Sequence, residues 1–365
     1  MSFIEGILIY LVVLLLIFIY SKITPDNKQG NVCVFAFILL TLFAGLSYDV
    51  GWDYLAYRTA ILTGDIERFE FLERELMRLT KKAPQWFFLI NHALIIGTTM
   101  WAVKKRSVNV LVSIFVFICF PFQFLYGLST IRAAVVAAMT MWGYVYCLEE
   151  RKNPLLFIAV IVVGFFIHQA SLVGLLLLPI YYVNIGRIGN LVLLIATIFV
   201  ARMKLHFDLE FLGEDVNAMT EVAEMAERLE SYEDVETGGG SVIHKCFMAL
   251  SVIGILFYDK LTKDNKYVGK YITIITIGYF LASMFSESPV LASRFSRPFD
   301  AFCVLLIPYF LSIVPQHAKK FATSVVLVLM TLLMLYQLYI PNYNGYENGR
   351  KSTYWPYRTI IGRNI

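Results

Sequence analysis

The chain has 365 residues, of which 58% are hydrophobic and only 16% are charged. The apolar residues form long uninterrupted blocks rather than the mixed pattern of a soluble core, which predicts a polytopic helical membrane protein. The formal net charge of +4 is small and the basic residues are scattered over short loops, so no nucleic-acid partner is expected. The five cysteines have no paired or metal-like spacing, and neither a disulfide nor a zinc site is expected.

Apolar stretches of about membrane-spanning length follow one another along the chain. The first of them has no basic flank before it and no small-residue cleavage site after it, so we expect it to be retained as a helix. Together they predict an all-α fold, a polytopic transmembrane helical bundle of about twelve crossings that forms a single integral membrane domain over residues 1–365. The stretches lie near residues 3–20, 32–48, 86–103, 108–125, 131–148, 154–185, 188–204, 242–258, 268–286, 299–315 and 321–340.

The stretch 154–185 is too long for one crossing. As a single helix it would be roughly 45 Å long at about 1.5 Å per residue, whereas the hydrocarbon core is about 30 Å thick. The polar residues His168, Gln169 and Ser171 interrupt it and predict two short helices that meet at a polar elbow. Two crossings also place the later basic loops on the same side as the earlier ones, as the positive-inside rule requires. The basic residues concerned are Lys22, Lys28, Lys104, Lys105, Arg106, Arg151, Lys152, Arg187, Lys260, Lys263, Lys266, Lys319 and Lys320.

With these basic loops in the cytoplasm, both termini and two long hydrophilic segments, 49–85 and 205–241, are expected to be extracytoplasmic. The first segment mixes acidic, basic and apolar residues between 67 and 79, which is typical of an interfacial helix lying on the membrane. The second is strongly acidic and ends in a run of glycines, which fits either a mobile helical flap or a solvated loop. Its acidic pair, Asp208 and Glu210, is too weak a signal to predict a metal site.

Three arginines near the predicted outer face are candidates for binding an anionic substrate. Arg132 begins a helix rich in small residues, where its guanidinium can bind a diphosphate through two hydrogen bonds or extend to the interface as an anchor. Arg294 and Arg297 lie one helical turn apart and can reach the same anion, although Asp300 can also simply neutralise Arg297. Charges near hydrocarbon are costly, so such residues usually line a substrate path or a site.

Two residues are candidates for a catalytic base that accepts a proton from a sugar hydroxyl. His168 is one, because an unperturbed imidazole titrates near neutral pH, but in this position it can equally be a hydrogen-bonded packing residue. Asp53 is the alternative base. The neighbouring Trp52 and Tyr57 are candidates for substrate binding, because amphipathic rings stack on sugars, although they also mark membrane interfaces.

Five short motifs carry a resemblance to a known family. In chain order they are Gly51-Trp52-Asp53-Tyr54 with Tyr57, Ser129-Thr130-Ile131-Arg132-Ala133-Ala134, Phe166-Ile167-His168-Gln169-Ala170-Ser171-Leu172, Ser293-Arg294-Phe295-Ser296-Arg297-Pro298-Phe299 and Trp355-Pro356-Tyr357-Arg358. Each motif is short, but in their order and spacing they resemble the EpsG family, Wzy-like polymerases of bacterial exopolysaccharide, capsule and O-antigen. The resemblance spans nearly the whole chain.

This resemblance implies a multi-pass membrane glycosyltransferase of the GT-C type in the bacterial cytoplasmic (inner) membrane, with its active site facing the exterior. The implied substrate is an oligosaccharide repeat unit on undecaprenyl diphosphate, and glycosyl transfer with a diphosphate leaving group joins the units. By match, Arg132, His168 and Arg294 are the implied functional positions, together with Asp53. No cofactor is implied, and membrane lipid and a chain-length regulator protein are further candidate partners.

Two other functions fit the same residues. A flippase or other transporter of lipid-linked sugars also needs cationic residues that face a cavity. It is, however, expected to carry charges along the whole path and to show repeated halves, whereas the charges of this sequence cluster at one end. An O-antigen ligase-like glycosyltransferase would share the fold and the chemistry.

Overall fold

The computed structural model describes residues 3–121, 123–203, 240–339, 354 and 357–361. Within these residues the regular structure is helical, and the extended pairing is one isolated bridge between Ser47 and Thr359. The prediction of an all-α membrane protein is therefore confirmed. The acidic segment 205–239, with its predicted flap or loop, lies outside the described residues and stays a prediction.

The helices follow the apolar stretches of the sequence closely. Shorter helices fill the loops between them, including two in the hydrophilic segment 49–85. In chain order the helices are α1 (Phe3–Ile23), α2 (Gln29–Gly45), α3 (Tyr54–Thr63), α4 (Phe71–Leu79), α5 (Gln85–Arg106), α6 (Val110–Cys119), α7 (Phe124–Ser129), α8 (Ile131–Gly143, continued as a π-helix over Tyr144–Glu150), α9 (Pro154–Phe165), a 3₁₀ helix (Gln169–Leu176), α10 (Leu177–Tyr182), α11 (Gly186–Met203), α12 (Gly240–Leu256), α13 (Tyr258–Thr262), α14 (Lys266–Met284), α15 (Pro289–Asp300), α16 (Cys303–Phe310) and α17 (Gln316–Tyr339).

Six of the described helices are long and apolar enough to cross a membrane by themselves, and other apolar helices are shorter. Helix α6 shows why a predicted stretch can yield a short helix. It ends at Cys119 because the residue before a proline avoids the helical region, and Phe120, which precedes Pro121, has φ −75° and ψ 141°. The six are Asp26–Gly45, Gln85–Arg106, Ile131–Glu150, Gly186–Met203, Lys266–Met284 and Gln316–Leu338.

The core of the bundle is built from helices that are apolar on every side. Helices α6 and α16 are buried along almost their whole length and pack against each other, with α5 in contact with both and α14 in contact with α16. The peripheral helices α11 and α17 expose large apolar side chains, among them Ile188 at 77% and Phe321 at 74%. Such surface is unfavourable in water but matches the hydrocarbon of a bilayer.

The predicted elbow in the stretch 154–185 is confirmed. Helix α9 ends at Phe165, and the following 3₁₀ helix packs back against α9. The hydroxyl of Ser171 donates to the carbonyl of Ile161 at 2.9 Å, and a Cβ on Gly164 would lie only 2.3 Å from that hydroxyl oxygen. Glycine at 164 therefore permits the close antiparallel approach of the two arms, and the chain reverses at His168.

One end of the bundle, which we call the basic end, gathers the short basic loops. There Arg106 pairs with the buried carboxylate of Glu149 at 2.6 Å. The hydroxyl of Tyr271 donates to the same carboxylate at 3.0 Å, and that of Tyr309 donates to the carbonyl of Arg106 at 3.0 Å. The loops after α5, α8 and α16 and before α14 thus lie at one end, as the reversal within 154–185 requires.

The described part of the C-terminal tail returns to the opposite end, which we call the site end. Gln337 near the end of α17 donates to the carbonyl of Cys119, the last residue of α6, at 2.8 Å. Farther along, the backbone N–H of Tyr48 donates to the carbonyl of Arg358 at 2.8 Å, and Arg358 pairs with Asp49 at 3.4 Å. The tail therefore packs on the loop that follows α2.

The two ends should respond differently to an impermeant thiol reagent. In a variant without native cysteines, we expect cysteine at Asp65, exposed at the site end, to be labelled in intact cells. Cysteine at Lys263, exposed at the basic end, should be labelled only after permeabilisation, because positively charged loops stay in the cytoplasm. Labelling of position 263 in intact cells would contradict the orientation. Gly239 is also predicted to face the exterior, but it lies outside the described residues.

Candidate active site

A tight loop carries Trp52 and Asp53 to the start of α8. Gly51 has φ +93°, and a Cβ there would lie 1.9 Å from the carbonyl oxygen of Leu128, so the loop needs glycine at this point. The next backbone N–H, that of Trp52, donates to the hydroxyl of Ser129 at 3.2 Å. This contact fixes the loop against the end of α7, with the Trp52 ring 39% exposed at the rim.

Arg132 lies in the first turn of α8, and three residues hold its guanidinium. Its Nε donates to the hydroxyl of Tyr57 on α3 at 3.1 Å. One of its terminal nitrogens forms an ion pair with Glu70 at the start of α4. The ring of Phe69 lies 4.9 Å from the guanidinium carbon, and Tyr57 itself is only 4% exposed. The hydroxyl of the buried Tyr57 therefore fixes the position of the Arg132 guanidinium.

The elbow brings His168 to the site end. The backbone N–H of Leu72 in α4 donates to the carbonyl of Phe166 at 2.9 Å, which ties the elbow to the hydrophilic segment. His168 caps the 3₁₀ helix, since its Nδ1 accepts the backbone N–H of Ala170 at 3.1 Å. An imidazole nitrogen that accepts a hydrogen bond carries no proton, so the neutral ring has its proton on Nε2.

The two arginines of α15 have different surroundings. Arg297 is 3% exposed, its Nη1 donates to the hydroxyl of Thr130 at 3.0 Å, and its guanidinium carbon lies 3.3 Å from the centre of the Tyr126 ring. Arg297 thus braces the junction between α7 and α8. Arg294, one turn earlier, is half-buried on a helix that packs against α8.

The charges of these residues act on one another. Burial raises the pKa of the Asp53 carboxyl to about 6, and the positive charges of Arg132 and Arg294 oppose that rise. His168, in the turn between two helices, has its pKa lowered to about 3 by burial and by the same two arginines. At neutral pH the imidazole is therefore uncharged and the carboxyl is mostly ionised. The structure brings Asp53, Arg132, His168 and Arg294 into one electrostatic cluster.

Two acidic residues of the α4 region complete this cluster, and the sequence pattern did not single them out. Glu70 pairs with Arg132, as described above. Glu73 is 2% exposed, its carboxylate accepts a hydrogen bond from Asn91 at 3.4 Å, and burial raises its pKa to about 7. The sequence feature that could have identified Glu73 is its spacing, because Glu73 lies one turn before the buried Met77 on the same face of an otherwise charged helix.

A comparison with protein families identifies the chain's relatives. Residues 30–359 match the model described as the EpsG family. The chain belongs to the EpsG family. The match includes every candidate site residue from Trp52 to Arg297. Neither the comparison with curated proteins nor that with solved structures finds a match.

Membership in the EpsG family gives this multi-pass membrane protein a general role as a polysaccharide polymerase of glycosyltransferase-like character. The family assignment predicted from the sequence motifs is thereby confirmed. The roles of the individual residues remain predictions, to which the geometry adds physical detail.

Proposed function

We propose that this EpsG-family protein joins oligosaccharide repeat units carried on undecaprenyl diphosphate at the outer face of the bacterial cytoplasmic membrane. The observation that supports this function best is the convergence of two arginines, a carboxylate with a raised pKa and a neutral imidazole at one end of the bundle. Arginines suit a leaving diphosphate, and the carboxylate suits an attacking hydroxyl.

In this proposal Arg132 and Arg294 bind the diphosphate of the donor. The acceptor hydroxyl oxygen forms a bond to the anomeric carbon of the donor sugar and gives its proton to the Asp53 carboxylate. The bond between the anomeric carbon and the diphosphate oxygen breaks, and its electron pair leaves with the diphosphate, where the guanidinium groups stabilise the developing charge. A pKa of about 6 keeps Asp53 ionised at neutral pH and still able to take the proton.

His168 is assigned the role of hydrogen-bond donor rather than base. Its Nδ1 is occupied by the backbone N–H of Ala170, so the group it can offer a substrate oxygen is the Nε2–H. Its low pKa, a consequence of burial and of the arginines, also makes it a weak base. Among the two base candidates predicted from the sequence, the geometry favours Asp53.

Substitutions at His168 test this assignment. Alanine removes the donor and is expected to lower the polymerisation rate on the order of 100-fold, a usual cost for losing one donor to a reacting oxygen. Glutamine retains an N–H donor and should stay within about tenfold of the wild type, although it cannot accept a proton at neutral pH. The rates are measured on purified protein with a lipid-linked repeat unit. If the glutamine variant is as inactive as the alanine variant, His168 rather than Asp53 is the base.

The proposed function is tested by lipid analysis of a deletion strain. We expect polymer to be lost while single repeat units remain on the lipid carrier at the outer face or on their final acceptor. A flippase would instead leave the lipid-linked repeat on the cytoplasmic side. A ligase would leave finished polymer on the lipid carrier.

A further inference from the structure

Arg132 is paired with an anionic side chain of the protein itself. Glu70 forms an ion pair with one terminal nitrogen of the guanidinium, and the side chains of Glu70 and Arg132 are 19% and 21% exposed. The other contacts of Arg132 fix its position without neutralising it, since Tyr57 accepts from Nε and Phe69 covers one face. A ligand that binds only this terminal nitrogen of Arg132 must therefore displace the Glu70 carboxylate, whereas three of the five guanidinium N–H groups lie outside the Glu70 and Tyr57 contacts.

The fold allows Glu70 to leave Arg132 without disturbing α4. Glu70 stands at the N-cap of this helix, yet its side chain makes no capping hydrogen bond. Other contacts hold the segment, namely the bond from Leu72 to Phe166 and the exposed ion pair between Arg74 and Glu67 at 2.9 Å. Because the carboxylate is partly exposed at an aqueous face, it can rotate into water at modest cost.

The charge of a ligand decides how well it competes with Glu70 for Arg132. A singly charged phosphodiester, the headgroup chemistry of common anionic phospholipids, replaces one negative charge at Arg132 with another and gains little. A diphosphate carries at least two negative charges and, in the proposed function, also binds Arg294, so its affinity depends less on the nitrogen that Glu70 occupies. Specificity of this kind comes from raising the cost of the wrong ligand.

We propose that Glu70 is a specificity-determining residue, a resident counter-ion that keeps singly charged phospholipid headgroups off Arg132 but does not exclude the diphosphate of an isoprenoid carrier, which also binds Arg294. The inference rests on the proposed function, because it takes the donor to be diphosphate-linked. It adds a residue and a reason for selectivity in a membrane that contains many anionic lipids.

The test compares two probes on purified protein in phosphatidylcholine nanodiscs. The dissociation constants of undecaprenyl diphosphate and of phosphatidylglycerol are measured for the wild type, Glu70→Gln and Glu67→Gln. We expect Glu70→Gln to bind phosphatidylglycerol on the order of tenfold more tightly, with a smaller gain for the diphosphate, so that discrimination falls. The control Glu67→Gln removes the same charge from an exposed pair three residues away and should leave discrimination unchanged.

A double-mutant cycle separates this role from a structural one. In an Arg132→Gln background, Glu70→Gln should no longer change phosphatidylglycerol binding, because the effect acts through the guanidinium. Should Glu70→Gln fail to insert, Glu70→Asp takes its place, and its shorter side chain should raise phosphatidylglycerol affinity several-fold.

The outcomes distinguish the two levels of the proposal. If the wild type prefers the diphosphate and Glu70→Gln keeps the same preference, the counter-ion role is wrong while the proposed function stands. An equal effect of Glu67→Gln would also overturn the counter-ion role, because it would show that the loss of any nearby negative charge changes the discrimination. If the wild type shows no binding of the diphosphate, the proposed function fails and the inference fails with it.

Discussion

Replacing Asp53 with asparagine is expected to lower the polymerisation rate by about 10²- to 10⁴-fold, the usual contribution of a general base. Asparagine keeps the size and the hydrogen-bonding oxygen of the side chain but cannot take a proton. The rate is measured as glycosidic bonds formed per enzyme on a purified lipid-linked repeat. The matched control is Asp65→Asn, an exposed carboxylate on the same hydrophilic segment, which should retain normal activity.

The pH dependence of the wild-type polymerisation rate is a second test of Asp53 as the base. Asp53 must be ionised to accept a proton, and burial raises its pKa to about 6. The rate should therefore fall as the pH drops through about 6 and reach a plateau above it. The residual activity of Asp53→Asn should lack this step. Near-normal polymer from the asparagine variant would contradict the base role.

Replacing Arg132 with alanine is expected to reduce polymerisation at least about 10²- to 10³-fold, as for the loss of a donor to a charged leaving group. Lysine should restore little, because an ammonium lacks the planar fork that binds a diphosphate at two points and cannot keep both the Tyr57 and the Glu70 contacts. Arg294→Ala should show a loss of the same order.

These variants must reach the membrane for the comparison to hold. Their amounts in isolated membranes are measured beside the rates, with Arg78→Ala as control, since Arg78 pairs with exposed Glu67 and Glu75 on the same hydrophilic segment. Exposed pairs of this kind contribute little to stability. Polymer of normal length from Arg132→Ala would assign that residue to anchoring the helix at the interface instead.

Much of the helical framework could be predicted from the sequence because its signals are strong. Long apolar runs mark helices in a membrane protein, and the polar break at His168 marked the reversal that the structure contains. The basic loops on either side of 154–185 favoured two crossings over one for this stretch. Position along such a bundle also brought Asp53, Arg132, His168 and Arg294 to one end.

The contacts among the site residues could not be predicted in the same way. The charges around α4 alternate in sign, and that pattern is the same whether a carboxylate faces water, as in Glu75, or faces Arg132, as in Glu70. The tautomer of His168 depends on a backbone N–H two residues later, which no residue pattern encodes. Arg294 and Arg297 lie one turn apart in the sequence, and the packing of Tyr126 over Arg297, together with its bond to Thr130, distinguishes them in the structure.

The return of the tail to the loop after α2 sets an order on the protein's biosynthesis. Arg358 and Asp49 are paired although 309 positions separate them, and the N–H of Ile360 donates to the carbonyl of Leu46 at 3.1 Å. Next to this loop stand Gly51 and Asp53. The contacts of the tail with this loop thus form only after residue 360 has been synthesised, so in a nascent chain already inserted in the membrane the loop is held by the bond between Trp52 and Ser129 without the support of the tail.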